Sequence, residues 1–250
     1  MSKIYEALKK AEKERGVVGG DGALQPSPVE SPVRPVADKL APPAVAEEYQ
    51  KMCSAISLRN PDLKVKAILI TSSVRGEGSS SVCTQFARAL TQGGQENVLL
   101  VDANLRNPVL HDIFGLERKG GLVELLTGTA SGTEVIKQTD SRGLFVVTSG
   151  QPTEEPSRLL SSPHLKKALT TWNRDYSYVL LDSCPVLNYV DAVILSRLMD
   201  GVVLVVQAGK TRWEVVRRAQ STLSNSKATV LGVVLNRRQY VIPKRIYRRL

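Results

Sequence analysis

A glycine- and serine-rich segment could bind phosphate. Residues 72–81, SSVRGEGSSS, lie between the apolar run VKAILIT and the helical pattern VCTQFARAL. A loop of the form G-x-x-x-x-G-K-[ST] surrounds phosphates with backbone N–H groups and a helix N-terminus, while its lysine neutralises charge and its hydroxyl holds Mg²⁺. Ser79 stands at the lysine position. The segment therefore predicts a phosphate loop without its cation, formed by Gly76, Glu77, Gly78, Ser79, Ser80 and Ser81.

Two interpretations of this loop stay open at the level of sequence. Arg75 lies within the loop and could turn toward the phosphates in place of the lysine, or it could be a solvent-facing arginine. A helix cap alone would also account for two glycines followed by serines. The strand-like run before the loop and the helical pattern after it favour the phosphate site.

Two aspartates follow apolar runs at places where a carboxylate is costly to bury. Asp102 ends NVLLVD and Asp182 ends YVLLD. A buried carboxylate needs a cation, a water molecule or a donor. Together with the Ser80 hydroxyl, the two carboxylates suggest Mg²⁺ ligands and catalytic groups that act on a water or hydroxyl. The alternative is that each carboxylate only caps the following turn.

The elements that would position these residues form a doubly wound α/β domain. Six apolar runs are continuous rather than alternating, which is typical of parallel strands buried on both faces. The runs are VKAILIT, NVLLVDA, LFVVTS, YVLLD, GVVLVVQA and VLGVVLN, and the helical segments are SSVCTQFARALTQGG, GLVELLTG, PSRLLSSPHLKKALTTW, DAVILSRLMD and TRWEVVRRAQSTLS. We predict a mainly parallel sheet flanked by helices. Ligands bind beyond the carboxyl ends of such strands, which adds Asn236 to the candidate site.

The composition divides the chain into four parts. Residues 1–16 carry apolar residues at helical spacing and predict an amphipathic helix. Residues 17–44 are rich in proline and glycine and predict a disordered linker. We expect the α/β domain over residues 45–236 and a basic tail over residues 237–250. Trp172 and Trp213 both lie in helical patterns, and we expect them to line the core or a groove.

The positive charge is concentrated at the end of the chain. The net charge is +10, and from Lys210 to Leu250 eleven Lys and Arg residues stand against the one acid, Glu214. Such a segment could meet nucleic acid, anionic lipid or an acidic partner, or it could be a solvated face. The sequence shows neither a signal-peptide core nor a membrane-spanning run, which predicts a cytoplasmic protein. Three cysteines without metal-ligand spacing predict neither a disulfide framework nor a zinc site.

The motifs together closely resemble those of the bacterial tyrosine kinases of polysaccharide export (BY-kinases of the CpsD/CapB type), relatives of the MinD and ParA P-loop ATPases. Family motifs read S-x-P-G-E-G-K-S-T, L-L-I-D-x-D-L-R-x-P and V-I-I-D-T-P-P, and this chain has SSVRGEGSSS, LLVDANLRNP and VLLDSCPV. The resemblance runs from about residue 45 to 240. It implies a site for ATP or ADP with Mg²⁺ and adds Arg106 to the nucleotide-binding candidates. Asp191 resembles a family position near the nucleotide pocket, but it also fits a helix N-cap.

The chain departs from the family where the chemistry is done. Besides Ser79 for the lysine and Arg75 for the preceding proline, Asn104 replaces the second acid of the second motif and Cys184 a proline of the third. The family's E-x-x-R-x-x-R helix joins subunits in a ring, and its place is taken here by EEYQKMC, in which Gln50 and Cys53 replace both arginines. The family's terminal tyrosine cluster is reduced to Tyr240 and Tyr247.

These departures predict a kinase-like protein of exopolysaccharide synthesis and export whose catalysis is impaired. The resemblance implies a membrane co-polymerase, or chain-length protein, as partner and a place at the inner face of the cell membrane, near anionic lipid. Because the ring arginines are replaced, the sequence predicts no particular oligomeric state. One alternative is an active tyrosine autokinase that uses Arg75. Another is a ParA-like or MinD-like positioning ATPase with a basic face for DNA or membrane, although the family motifs make nucleic acid the less favoured partner.

Overall fold

One seven-stranded sheet organises the described part of the chain. The computed structural model describes residues 43–59, 65–92 and 96–238. The strand order is β3-β4-β2-β5-β1-β6-β7, and all neighbours are parallel except β3 and β4. The elements are α1 Pro43–Arg59, β1 Ala67–Ser72, α2 Ser79–Thr91, β2 Val98–Asp102, α3 Leu110–Phe114, α4 Leu122–Thr127, β3 Lys137–Gln138, β4 Leu144–Val147, α5 Pro156–Leu160, α6 Pro163–Asp175, β5 Tyr178–Asp182, α7 Asp191–Ser196, β6 Gly201–Gln207, α8 Trp213–Asn225 and β7 Val230–Asn236.

The predicted N-terminal helix, most of the linker and most of the basic tail lie outside the described residues. These are residues 1–42 and 239–250, and they include Tyr240 and Tyr247. The first described helix, α1, begins at Pro43, two residues before the predicted start of the domain.

Helices cover both faces of the sheet, so the strands are buried on each side. Successive strand residues alternate between two apolar clusters, with Leu69 and Leu181 in one and Ile70 and Leu180 in the other. Helices α4 to α8 pack into the first cluster and helices α1 to α3 into the second. This arrangement explains why the strand sequences are continuously apolar and confirms the predicted doubly wound fold.

The helical segment PSRLLSSPHLKKALTTW was predicted as one helix and forms two. Helix α5 ends at Leu160, and α6 starts at Pro163 after Ser162, whose hydroxyl accepts a hydrogen bond from the N–H of His164 at 3.3 Å. Proline suits the first position of a helix, since it has no N–H to donate there, and serine is a favourable N-cap. The break was therefore encoded at Ser162 and Pro163 and was missed because the apolar pattern continues across it.

One tryptophan departs from its predicted place. Trp172 is buried, and its indole Nε1 donates to the carbonyl of Gly132 at 3.1 Å. Trp213, the first residue of α8, is 65% exposed, so of the two predicted places, core or groove, it does not occupy the core. Cys83 and Cys184 are buried, and Cys53 is half-buried. No helix among the described residues has the length and apolar character needed to cross a bilayer.

Candidate nucleotide site

The loop between β1 and α2 has the backbone shape of a phosphate cradle. Gly76 and Gly78 adopt left-handed conformations with φ of 86° and 89°. Gly78 is also the N-cap of α2, so the N-terminal turn of this helix, Ser79 to Ser81, faces the loop. An L-residue with a side chain is strained at such φ values, which explains glycine at both positions. The predicted loop geometry is thus present.

Two side chains hold the loop in this shape. The buried Glu77 accepts a hydrogen bond from the N–H of Val74 at 2.9 Å and others from the N–H of Gln207 and the hydroxyl of Thr211. Asn236, at the end of β7, donates from Nδ2 to the carbonyl of Glu77 at 2.8 Å. These hydrogen bonds therefore fasten the loop to the carboxyl ends of β6 and β7. Asn236 and Glu77 thus lie in the predicted site, where they shape the cradle.

The two aspartates lie side by side at the carboxyl ends of neighbouring strands. Asp102 and Asp182 are register partners in β2 and β5, and both are fully buried. Asp102 Oδ2 accepts hydrogen bonds from the N–H groups of Val109 and Leu110 at 3.1 and 3.0 Å. Asp102 Oδ1 and both oxygens of Asp182 accept none from the described residues. The alternative that each carboxylate only caps the following turn therefore explains one oxygen of Asp102, and it does not explain Asp182.

Burial raises the pKa of both carboxyl groups. Burial raises the pKa of Asp102 to about 7, against the opposing effect of the N–H groups of Leu110 and Val109. Burial also raises the pKa of Asp182 well above its usual value, and the charge of Asp102 raises it further. The hydroxyls of Ser80 and Ser79 lie close enough to lower this pKa, although neither makes a hydrogen bond of good geometry to Asp182.

Three carboxylate oxygens without donors fit a divalent cation. Mg²⁺ is commonly held by one or two carboxylates together with phosphate oxygens and water, rather than by a cage made only of protein. The described residues contain no cluster of three or more His, Cys, Asp or Glu that could hold a metal. If an ion is bound here, Asp102 and Asp182, with the Ser80 hydroxyl near Asp182, are the residues that would hold it. A nucleotide bound at the loop would supply the phosphate oxygens.

Comparison with known proteins identifies the family. The family model described as NUBPL iron-transfer P-loop NTPase, of the ParA type, matches residues 64–248. Tyrosine-protein kinase YwqD of Bacillus subtilis is 35% identical over 191 residues, which cover 76% of this chain and 80% of that protein. The chain belongs to the bacterial tyrosine-kinase family.

Solved structures agree with this assignment. The crystal structure of the chimerical protein CapA2B2 is similar with a TM-score of 0.75 and 30% identity, and the match covers 81% of this chain and 88% of that chain. The cell division ATPase MinD of Pyrococcus furiosus has a TM-score of 0.59 at 23% identity, over 72% of this chain and 76% of that chain, which shows a shared fold. The predicted resemblance and fold class are confirmed.

The family's lysine position lies inside the cradle and carries no charge here. Ser79 is buried in the first turn of α2. Arg75, the predicted substitute, is exposed, and its guanidinium donates to Oδ1 of Asn107 at 3.3 Å in the loop that follows β2. The described residues thus provide no ion pair to Asp182. The positive charge that acts on Asp102 is that of Arg118.

Arg106 of the second family motif is held in a polar cluster beside the site. It binds Asp191 with Nε at 2.7 Å and with Nη2 at 3.2 Å, and it lies over the ring of Tyr189 at 4.3 Å. Asp191 also accepts a hydrogen bond from Ser157. The N-cap of α7 is Val190, so Asp191 does not serve as the cap that the sequence allowed. Arg106, Ser157 and Asp191 therefore tie the loop that follows β2 to the starts of α5 and α7.

The residues at the family's ring positions make contacts within this chain. Gln50 Nε2 donates to Oε1 of Gln92 at 3.4 Å, and Cys53 is half-buried against the second apolar cluster. Burial raises the pKa of the Cys53 thiol to about 11. Glu47 forms an ion pair with Lys51 of the same helix at 3.2 Å. In the described residues, α1 thus presents neither of the two family arginines.

The cavities of about 390 and 210 Å³ lie away from the loop and the aspartates. The larger is formed between the end of α4 and the start of α6, where His164 and Lys167 line it. The smaller lies near Arg88 and Phe114. Neither of these two cavities is lined by residues 73–81.

Proposed function

We propose that this chain is a catalytically impaired member of the tyrosine-kinase family that acts in exopolysaccharide synthesis and export as a regulator or scaffold. The observation that carries this proposal is the charge of the site. Two fully buried carboxylates, Asp102 and Asp182, adjoin a formed phosphate loop in which serine stands at the lysine position. The frame for a metal and a phosphate is kept, while the cation that would offset the phosphate charge is missing.

The size of the expected loss follows from the physics of phosphoryl transfer. Positioned positive charge provides most of the catalysis, because the protein does little covalent chemistry itself. Removing a single positioned donor from a transition state typically costs about 10²–10³ in rate. In this chain Ser79, Asn104, Gln50 and Cys53 stand at family positions for the lysine, an acid and two arginines. Because several of these groups are replaced together, loss of kinase activity is favoured over compensation by other residues.

Weak nucleotide binding is compatible with this proposal. The loop keeps its shape through Glu77 and Asn236, and neither contact depends on a lysine. Backbone N–H groups at a helix N-terminus attract anions without help from a side chain. We therefore propose that ATP or ADP with Mg²⁺ is bound, if at all, with low affinity and without transfer of a phosphoryl group.

A phosphorylation assay tests the loss of catalysis. Purified full-length protein is incubated with Mg²⁺ and ATP, and phosphotyrosine at Tyr240 and Tyr247 is measured by mass spectrometry. We expect no phosphotyrosine above the level of an Asp102→Ala variant. Phosphotyrosine that forms in the parent and disappears in Asp102→Ala would establish an active autokinase and contradict the proposal.

An active kinase that uses Arg75 is the second candidate. It is favoured by the position of Arg75 in the phosphate loop and by its exposed side chain, which makes one 3.3 Å contact to Asn107. A single hydrogen bond of this kind can be exchanged for a phosphate contact at little cost. If Arg75→Gln abolished a phosphotyrosine signal and Arg142→Gln did not, this candidate would replace the first.

The proposed setting is the inner face of the cell membrane, with a membrane co-polymerase as partner. This part rests on the family and on the basic character of the chain after Lys210. Reproducible co-purification with a co-polymerase under gentle extraction would support the scaffold role. Its consistent absence would count against that role and would leave the assignment to the family unaffected.

A further inference from the structure

The edge strand β7 and the start of α8 form a surface that is both apolar and basic. Among the described residues, five large apolar side chains are exposed, and three of them lie here: Trp213 at 65%, Leu235 at 61% and Val233 at 38%. Exposed single apolar residues are ordinary in proteins, but a cluster of them needs an explanation. We name this cluster, with Lys210, Arg212, Arg217 and Arg237, the α8–β7 surface.

The apolar members lie on the same face of the sheet. Val233 and Leu235 are register partners of Leu204 and Val206, which belong to the apolar cluster covered by α8. They remain exposed because β7 is the last strand of the sheet and α8 buries only its own stripe, formed by Val216, Ala219 and Leu223.

Trp213 lies on the flank of α8 that borders this face. At about 100° per residue, Trp213 and Arg217 lie about a quarter to a third of a turn from the buried stripe. Strands β6 and β7 are parallel and are joined through α8. Connections of this kind are right-handed in nearly all proteins. With this handedness, the flank of α8 that carries Trp213 faces β7 rather than the centre of the sheet. The tryptophan and the two aliphatic residues therefore belong to one surface.

The charge around this surface is mainly positive. From Lys210 to Arg238 there are seven Lys and Arg residues and one acid, Glu214. Lys210, Arg212, Arg217 and Arg237 are exposed, and the ion pairs in the described part of the chain involve other residues. The complementary partner is therefore anionic.

We propose that the α8–β7 surface binds a membrane that contains anionic lipid. Tryptophan is favoured at the boundary between lipid and water because its ring is apolar and its indole N–H is polar. Each nearby Lys or Arg raises partitioning onto an anionic bilayer by about fivefold. An exposed tryptophan among basic residues matches the boundary of an anionic bilayer, and an acidic peptide is the alternative that the test below distinguishes. The inference rests on the proposed function only in placing the chain at a membrane, and it requires neither nucleotide nor a protein partner.

The two tryptophans make a direct test possible. Trp172 is buried and Trp213 is exposed, so the fluorescence change caused by a membrane reports mainly on Trp213. Full-length protein is titrated with vesicles of phosphatidylcholine that contain about one-third phosphatidylglycerol, and with phosphatidylcholine alone. We expect binding only to the anionic vesicles, with a blue shift of the emission, and weaker binding as salt is raised.

Variants locate the contact. Arg212→Gln combined with Arg217→Gln should lower the partition coefficient roughly 20-fold. Arg142→Gln combined with Lys166→Gln, two exposed basic residues outside the surface, should leave it within about twofold. Trp213→Phe should keep most of the binding and remove the shift. Circular dichroism of each variant confirms that it is folded.

Several outcomes would overturn the proposal. One is the absence of binding to anionic vesicles at low salt. Another is binding that leaves the emission of Trp213 unchanged or that survives the Arg212 and Arg217 substitutions, because the contact would then lie elsewhere in the chain. Binding of an acidic soluble peptide to this surface without binding to vesicles would assign it to a protein partner instead. None of these outcomes depends on kinase activity, so this proposal and the proposed function fail separately.

Discussion

At the scale of single residues, the buried carboxylate of Asp182 makes the stability of the protein depend on pH. Its carboxylate is fully buried, accepts no hydrogen bond of good geometry from the described residues and lies beside Asp102. A pKa that is higher in the folded than in the unfolded state means that stability is lost as pH rises from the unfolded value through the folded one. For Asp102, whose pKa rises from 3.8 to about 7, this window runs from about pH 4 to pH 7.

Replacement of Asp182 by asparagine should therefore stabilise the protein at high pH. We expect Asp182→Asn to raise the melting temperature by roughly 5–10 °C at pH 8 in metal-free buffer, because asparagine removes a carboxyl group whose ionisation is opposed by burial in the folded state. The gain should shrink toward pH 4, where the parent carboxyl is protonated as well. Thermal unfolding followed by circular dichroism measures it. Asp140→Asn, at an exposed position, is the matched control. An equal effect of Asp182→Asn at both pH values would contradict the account.

At the scale of elements, the phosphate loop is shaped by two glycines with different surroundings. Both have φ near +90°, but a Cβ at Gly76 would meet open space, while one at Gly78 would lie 2.4 Å from Nδ2 of Asn236. The Asn236 side chain could not stay in place, and its hydrogen bond to the carbonyl of Glu77 would be lost. Substitution at Gly76 therefore measures backbone strain alone, and substitution at Gly78 measures strain together with the loss of the Asn236 hydrogen bond.

We expect the two alanine variants to differ in the free energy of unfolding. Gly76→Ala should cost about 1 kcal/mol, which is the strain of a left-handed alanine. Gly78→Ala should cost about 2–3 kcal/mol, since the lost hydrogen bond adds to the strain. Urea denaturation at a constant m-value measures both. Equal costs would mean that Asn236 does not hold the loop.

The elements differ in how well sequence alone predicts them. YVLLD and VLGVVLN became β5 and β7 with the predicted bounds, because long apolar runs in a parallel sheet leave few alternatives. The two-residue strand β3 and the five-residue helix α3 were missed, since elements this short carry no periodic pattern. The exposure of Trp213 was also out of reach, because it depends on α8 lying next to an edge strand. Sequence predicted that Asp102 and Asp182 lie together, but not which of their oxygens lack donors.

At the scale of the whole molecule, the site and the proposed membrane surface share the carboxyl-end edge of the sheet. The phosphate loop follows β1, while Lys210 and Arg237 follow β6 and β7. The loop is fastened to the same two strands through Thr211 and Asn236. Under the proposed function, the chain would keep its fold around the candidate nucleotide site and use the basic edge for attachment.

Calorimetric titration of the parent and of Ser79→Lys with Mg²⁺ and ATP tests the central claim most directly. A charged hydrogen bond to phosphate contributes about 1.5–3 kcal/mol, so the lysine should tighten binding at least tenfold over weak or undetectable binding by the parent. Thr170→Lys, at an exposed position of α6 outside the phosphate loop, is the control and should leave binding unchanged. Tight binding by the parent that Ser79→Lys does not improve would show that the site binds nucleotide without a lysine at position 79. This result would contradict the account.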